Sequence, residues 1–221
     1  MTRLTPSEQL KLGGDIQRRL GIKTVRDESL ARFSTMRVGG PADLFAEVRN
    51  LFELRAITRF ARSRDLPLFL IGRGSDLVIS DRGIGGLVVL VRAAGLQVEG
   101  AQVTAEAGVQ MAKVTTEARN AGLSGFEFGL AIPGTVGGAL WANAGAHGGD
   151  VQSVLREALV IGADGQERTL GPDALGMGYR ETVLKHSQPG RPEVVLQAMF
   201  ALEPADSDTI AERLADIRRW R

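Results

Sequence analysis

Residues Leu66–Val91 read LPLFLIGRGSDLVISDRGIGGLVVLV. Two short apolar runs, Leu66–Ile71 and Gly86–Val91, have the length and composition of buried strands, and the first stops abruptly at Gly72. Between them stands Gly72-Arg73-Gly74-Ser75-Asp76. Glycines there can turn successive backbone N–H groups toward one point, forming an anion nest to which Ser75 adds a hydroxyl. On these residues alone a plain glycine-rich turn is the competing reading. The loop lacks the Gly-Lys-Ser/Thr ending of a Walker loop, and its spacing is wrong for the dinucleotide fingerprint.

Outward from this stretch the pattern stays mixed. Asp43–Val48 (DLFAEV) reads as a strand, and Leu51, Leu54, Ile57, Phe60 and Ala61 recur at helical spacing, so the first part is βαβ-like. Thr5-Pro6-Ser7-Glu8 reads as a capping box with proline at the first helical position, opening a helix to about Leu20. After about residue 92 the texture changes. LQVEGAQVTAEAG suggests a hairpin around Gly100, and a helix follows near Val109–Ala121. EALVIGADGQERTL reads as two strands joined by an Asp164-Gly165 turn, and PEVVLQAMFALE as a further strand. Asp206 or Ser207 can cap a final helix with Ile210, Leu214 and Ile217 on one face. The expected fold is α+β in two subregions, residues 1–92 and 93–205, followed by a helix over 206–221 with no stop signal at its end.

Composition narrows the function classes. The 27 basic and 26 acidic residues of the 221 leave a net charge of +1, so a uniformly basic nucleic-acid binder is not expected. The absence of cysteine excludes disulfides, thiolate nucleophiles and cysteine-ligated metals. With only His147 and His186, no metal site is expected. No apolar run approaches a membrane span and no signal peptide is visible, so a soluble cytoplasmic protein is the expectation. Glycine is the outlier, at 28 of 221 against a usual fraction of roughly 7%, and it is clustered.

The second cluster is Ala131–Gly149, AIPGTVGGALWANAGAHGG. Pro133-Gly134-Thr135 reads as a turn, and Gly137-Gly138-Ala139 and Asn143-Ala144-Gly145-Ala146 as nearly bare backbone that a planar polar ligand or a diphosphate could approach. Tight packing of small residues is the other reading. The third motif is Gly178–Lys185, GYRETVLK, in which Arg180 offers a bidentate cation for a carboxylate or a developing enolate. On an extended segment Thr182 would share its face. Taken alone, Arg180 reads equally as a surface or ion-pair arginine, and His147 as a structural or solvent-facing residue.

STMRVGGPADLF, IGRGSDLVISDRGIGGLVV, GFEFGLAIPGTVGGALWANAGAHGGDV and GYRETVLK occur in an order and spacing that resembles the UDP-N-acetylenolpyruvoylglucosamine reductase (MurB) family, from about Phe33 to Arg221. The resemblance implies an FAD-binding module of the vanillyl-alcohol-oxidase type with two subdomains. It implies that Gly72, Arg73, Gly74, Ser75 and Asp76 cradle the FAD diphosphate. Ile132, Pro133, Gly134, Thr135, Gly137, Gly138, Ala139, Asn143, Gly145 and Ala146 would then line the rest of the flavin. It further implies NADPH as electron donor, UDP-N-acetylglucosamine enolpyruvate as small-molecule substrate, and UDP-N-acetylmuramate as product, an intermediate of cell-wall synthesis. Arg180 matches the family's catalytic arginine, with Tyr179 and Thr182 beside it as substrate-binding residues, and a monomer is expected.

Departures from the family pattern are Arg73 and Asp76 where glycine and asparagine are usual, Ala131 for glycine, His147 for tyrosine, and Thr182 for serine. A third domain carrying the family's proton-donating serine and a glutamate is expected to lie outside this chain. A non-catalytic FAD-binding module and another flavin oxidoreductase of the same fold are the alternative readings.

Overall fold

In the computed structural model, which describes residues 3–220, the chain divides into two units. The first takes the chain up to Ala93 and two later segments, Ile161–Glu167 and Ser187–Val194. The second holds Ala94–Val160, Arg168–His186 and Val195 onward.

The first unit opens with α1 (Pro6–Leu20). The Thr5 hydroxyl accepts from the Glu8 N–H at 3.3 Å, while the Glu8 carboxylate accepts from the Thr5 N–H at 2.8 Å, so both orphan donors are satisfied reciprocally. After β1 (Thr24–Ser29) comes β2 (Pro41–Val48), then α2 (Leu51–Ser63), which Asn50 caps through the Glu53 N–H. Leu54, Ile57, Phe60 and Ala61 form its buried stripe. β3 (Leu68–Ile71) and β4 (Ile84–Val91) are the two apolar runs that bracket the glycine loop. They pair in parallel, and β4 also pairs in parallel with β2, giving the order β1-β2-β4-β3. A parallel sheet buried on both faces reads as continuous apolar sequence, and for that reason β4 was legible. β1, TVRDES, carries no apolar pattern, because it is an edge strand on which Arg26 and Asp27 are exposed and whose register comes from its antiparallel ladder with β2.

One charge sits inside this apolar sheet. Asp43 on β2 is fully buried; its Oδ2 accepts from the N–H groups of Leu4 (2.7 Å) and Gly86 (2.9 Å), and Arg3 Nε lies 2.7 Å from Oδ1. The carboxylate therefore ties the entry of α1 and the start of β4 to β2. Asp43→Ala strands a buried N–H at Gly86 and is expected to lower stability by about 3 kcal/mol. Asp43→Asn, which keeps one acceptor oxygen, is expected to lose less. Urea denaturation of the three proteins measures the order.

The second unit is built on a five-stranded sheet. The hairpin β5 (Leu96–Glu99) and β6 (Gln102–Glu106) turns at Gly100, and α3 (Met111–Asn120) follows. Then come β7 (Leu123–Ser124), the six-residue α4 (Val136–Trp141), the short pair β8 (Gly145–Ala146) and β9 (Gly149–Asp150), and α5 (Val151–Val154). β10 (Leu155–Ile161), β11 (Glu167–Leu170) and β12 (Val194–Ala201) complete the sheet, and β13 (Glu203–Pro204) pairs with β7. The chain closes on α6 (Ser207–Arg219), capped by Asp206. Phe126 anchors the core, with ring centroids 5.0 Å from Phe128 and 4.8 Å from Phe200. Beneath α6, burial pushes the Glu127 carboxyl up, but hydrogen bonds from the Ser124 hydroxyl and the Gly125 N–H, with Arg213 close by, outweigh it and hold the group below the ordinary carboxylate range.

Candidate functional site

The Gly72–Asp76 loop is held at both ends. Ile71 at the end of β3 and Ile79 beyond the loop are buried in one cluster with Leu30, Phe45 and Val88, against which Phe33 and Leu77 pack. Its middle is clasped by the segment after residue 33: Gly74 O accepts from Thr35 N at 3.0 Å and from Thr35 Oγ1 at 3.3 Å. Gly74 has φ +65°, and a Cβ there would sit 1.9 Å from the carbonyl oxygen of Phe33. Only glycine fits both demands. With the loop so fixed, the N–H groups of Gly72, Ser75 and Asp76 and the Ser75 hydroxyl meet no protein acceptor among the described residues. Backbone donors left unpaired at a strand-to-loop junction fit an anion such as a diphosphate. Arg73 and Asp76 are exposed beside them. The clasp by Thr35 was not foreseen from the sequence, since STMRVGG offers two adjacent hydroxyls and only that of Thr35 reaches Gly74 O.

In the second unit the glycine pair resolves into two different roles. The Gly137 N–H donates to Ala107 O at 2.9 Å, and a Cβ at Gly137 would lie 3.0 Å from the Ala107 Cβ, so this glycine is there for packing. Gly138 is exposed, and a Cβ there would meet nothing nearer than Thr135 Oγ1 at 3.8 Å. The Gly138 N–H is thus free for a ligand, beneath an empty space that any side chain would fill, while Thr135, the N-cap of α4, is only 5% exposed and its hydroxyl caps no amide of that helix. Ala139 is 3% exposed, its N–H bound to Thr135 O, which corrects the expectation that it lines a ligand surface. Ile132, Gly134, Gly145 and Ala146 are half-buried and Pro133 is exposed.

GYRETVLK is not extended. Gly178 and Glu181 exchange both backbone hydrogen bonds (3.0 and 3.1 Å), so Tyr179 and Arg180 are the two tip residues of a tight turn, and residues Val183–His186 continue as a 3₁₀ helix. Arg180 has φ +55°, a left-handed conformation uncommon for arginine. Its Nη2 donates to Gly145 O at 2.9 Å, its guanidinium carbon is 6.0 Å from the Tyr179 ring centroid, and its carbonyl accepts from Lys185 Nζ at 2.6 Å. Both tip residues are exposed, Tyr179 at 93%.

Two residues are not where the sequence reading put them. Thr182 is fully buried and its hydroxyl donates to Trp141 O at 2.7 Å, so it holds the turn and offers no surface to a substrate. The strand-like spacing from Arg180 misled because the chain turns between them. Asn143 is 2% exposed and its side-chain amide is engaged within the protein, so it lines no ligand surface through that group. Lys185, whose Nζ also lies 4.9 Å from the Trp141 ring centroid, was missed. One loop thus presents unpaired amides and another a fixed arginine, a pairing of groups that are both suited to negative charge.

The comparisons with known proteins fit that pairing. A family model described as an FAD binding domain matches residues 42–171, more than half of the chain. The UDP-N-acetylenolpyruvoylglucosamine reductase of Streptococcus thermophilus is 38% identical over 203 residues, which cover 91% of this chain and 66% of that protein. The crystal structure of UDP-N-acetylenolpyruvylglucosamine reductase from Thermus caldophilus superposes with a TM-score of 0.74 at 31% identity, covering 90% of this chain and 69% of that one. This chain belongs to the UDP-N-acetylenolpyruvoylglucosamine reductase family. It spans just under two thirds of the length of the curated Streptococcus relative. A structure of alkyldihydroxyacetonephosphate synthase, at 16% identity and a TM-score of 0.61, covers 91% of this chain and 41% of its own and shares the fold alone. That fold is the FAD-binding fold of the vanillyl-alcohol-oxidase type. Among the described residues no helix is long and apolar enough to cross a membrane.

Proposed function

We propose that this chain is the flavin-holding part of a cytoplasmic, NADPH-dependent reductase that converts UDP-N-acetylglucosamine enolpyruvate to UDP-N-acetylmuramate in peptidoglycan precursor synthesis. The unpaired amides of the Gly72–Asp76 loop carry the reading, because they suit the diphosphate of FAD and serve nothing in the protein itself. In this reading Gly72, Ser75 and Asp76 donate backbone N–H groups to that diphosphate, with Arg73 adding positive charge beside it. Gly138 offers a backbone N–H to polar atoms elsewhere on the cofactor, and its lack of a side chain permits close approach. When bound, FAD supplies hydride, received from NADPH, to a vinyl carbon of the substrate.

The protein's own contribution to that addition is electrostatic. Hydride arriving at one vinyl carbon of the enolpyruvyl group pushes negative charge onto the neighbouring carbon and its carboxylate, and a proton taken up at that neighbouring carbon completes the reduction. A permanently charged, planar guanidinium is suited to that charge, and Arg180 is held in place by the turn and by Gly145 before any substrate arrives. Preorganisation matters here because a cation that does not have to move stabilises developing charge without reorganisation. The test is anaerobic: NADPH is added to the FAD-loaded reductase that contains this chain, then the enolpyruvyl substrate, with flavin absorbance followed throughout. The proposal predicts bleaching by NADPH and substrate-dependent recovery. Bleaching without recovery would make the chain an FAD-binding module and not a reductase of this substrate.

A further inference from the structure

We infer that Asn143 is the positioning residue of the arginine turn: its side-chain amide holds the carbonyl of Gly178, and so keeps Tyr179 and Arg180 at the tip in the one backbone conformation that presents the guanidinium. The catalytic consequence rests on the role proposed for Arg180, whereas the clamp itself does not.

The chemistry of the two partners fixes which way the amide faces. The Gln152 N–H can only donate, and it meets Asn143 Oδ1 at 3.0 Å. The Gly178 carbonyl can only accept, and Asn143 Nδ2 lies 2.7 Å from it. Neither an aspartate nor a flipped amide satisfies both. Asn143 itself has φ +40°, a conformation that asparagine tolerates far better than most residues. The Gly178 carbonyl therefore accepts twice, from Glu181 N across the turn and from Asn143 at 2% exposure. The other contacts to the tip, from Arg180 Nη2 to Gly145 O and from Lys185 Nζ to Arg180 O, are exposed to solvent. Thr182, bonded to Trp141 O, secures the chain as it leaves. Trp141, Asn143 and Gly145 thus form a short rail along which the whole turn is pinned, with Asn143 and Thr182 as its buried fastenings. A left-handed arginine at an exposed tip persists only where its surroundings over-determine it.

Tyr179 is the chain's single tyrosine, so [15N]tyrosine labelling yields one amide cross-peak, placed at the tip beside Arg180. Two variants are compared with the parent chain. Asn143→Gly removes the side chain while suiting φ +40°, and Asn143→Asp keeps the acceptor but points an oxygen at the Gly178 carbonyl. Thermal melting first establishes that each is folded. The expected result is that the Tyr179 peak moves toward the random-coil region or broadens away in the folded variants, and that substrate-driven flavin reoxidation slows about tenfold or more with FAD uptake retained. A folded variant whose Tyr179 peak keeps the parent's position and width overturns the clamp. A displaced peak with unchanged reoxidation supports the clamp and removes Arg180 from the mechanism. Should Asn143→Asp not fold, Asn143→Gly decides alone.

Discussion

Gly74→Ala is expected to be the most damaging small substitution in the loop, lowering stability by about 3 kcal/mol and abolishing measurable FAD uptake. Two independent penalties fall on the same atom. The added methyl group would stand 1.9 Å from Phe33 O and 2.9 Å from Ser34 Cα, and these are backbone atoms that no rotamer change can move. The backbone at φ +65° is also one that residues with a Cβ seldom adopt. Relief requires the loop to part from Thr35, and the N–H groups of Gly72, Ser75 and Asp76 then leave their present positions. Gly138→Ala is the matching control. Its methyl group meets nothing nearer than 3.8 Å, and alanine is the better helix former, so the protein is expected to be as stable as the parent or slightly more so. Its FAD affinity is nevertheless expected to fall, because the methyl group fills the approach to the free N–H. Urea denaturation and FAD titration of both variants check the pair. Equal affinity in Gly138→Ala and the parent would remove that face of α4 from the cofactor site.

Arg180→Lys is expected to leave FAD content and stability unchanged and to slow reoxidation of the reduced flavin by the enolpyruvyl substrate by about 10²- to 10³-fold. Lysine keeps the positive charge and can occupy the same turn position, since Gly178, Asn143 and Thr182 act on the backbone around it. It lacks the planar fork, and with it the ability to hold Gly145 O and a carboxylate at once. In the proposed reaction negative charge develops on the substrate only when it is reduced, so the rate of flavin reduction by NADPH is expected to stay at the parent value. Stopped-flow absorbance resolves the two halves. An unchanged reoxidation rate would take Arg180 out of the chemistry.

Much of this was readable in the residues, for identifiable reasons. The loop at Gly72–Asp76 could be located because glycine between two apolar runs signals a backbone that side chains would obstruct. β4 could be located because a strand paired in parallel on both sides and buried on both faces is apolar throughout. The difference between Gly137 and Gly138 was out of reach: it depends on where Ala107, thirty residues earlier, places its carbonyl and its methyl group. Thr182 was misplaced for a similar reason, since a spacing of two has one meaning on a strand and another across a turn. Asp43 shares PADLFAEV with a second carboxylate, Glu47, and nothing local marks it as the buried one; the structure explains it through the amide of Gly86, on a strand more than forty residues further along. In each case local pattern revealed the element, and the side chain's task was set by a partner distant in sequence.

The central claim is that the unpaired amides of the glycine loop are a cofactor surface. Its most direct test is the visible absorption spectrum of the purified chain, followed by release and identification of the bound cofactor and, for colourless protein, titration with FAD. The account predicts stoichiometric FAD, either carried through purification or taken up on addition, and its loss in Gly74→Ala. A folded chain that is colourless and takes up no FAD would contradict it.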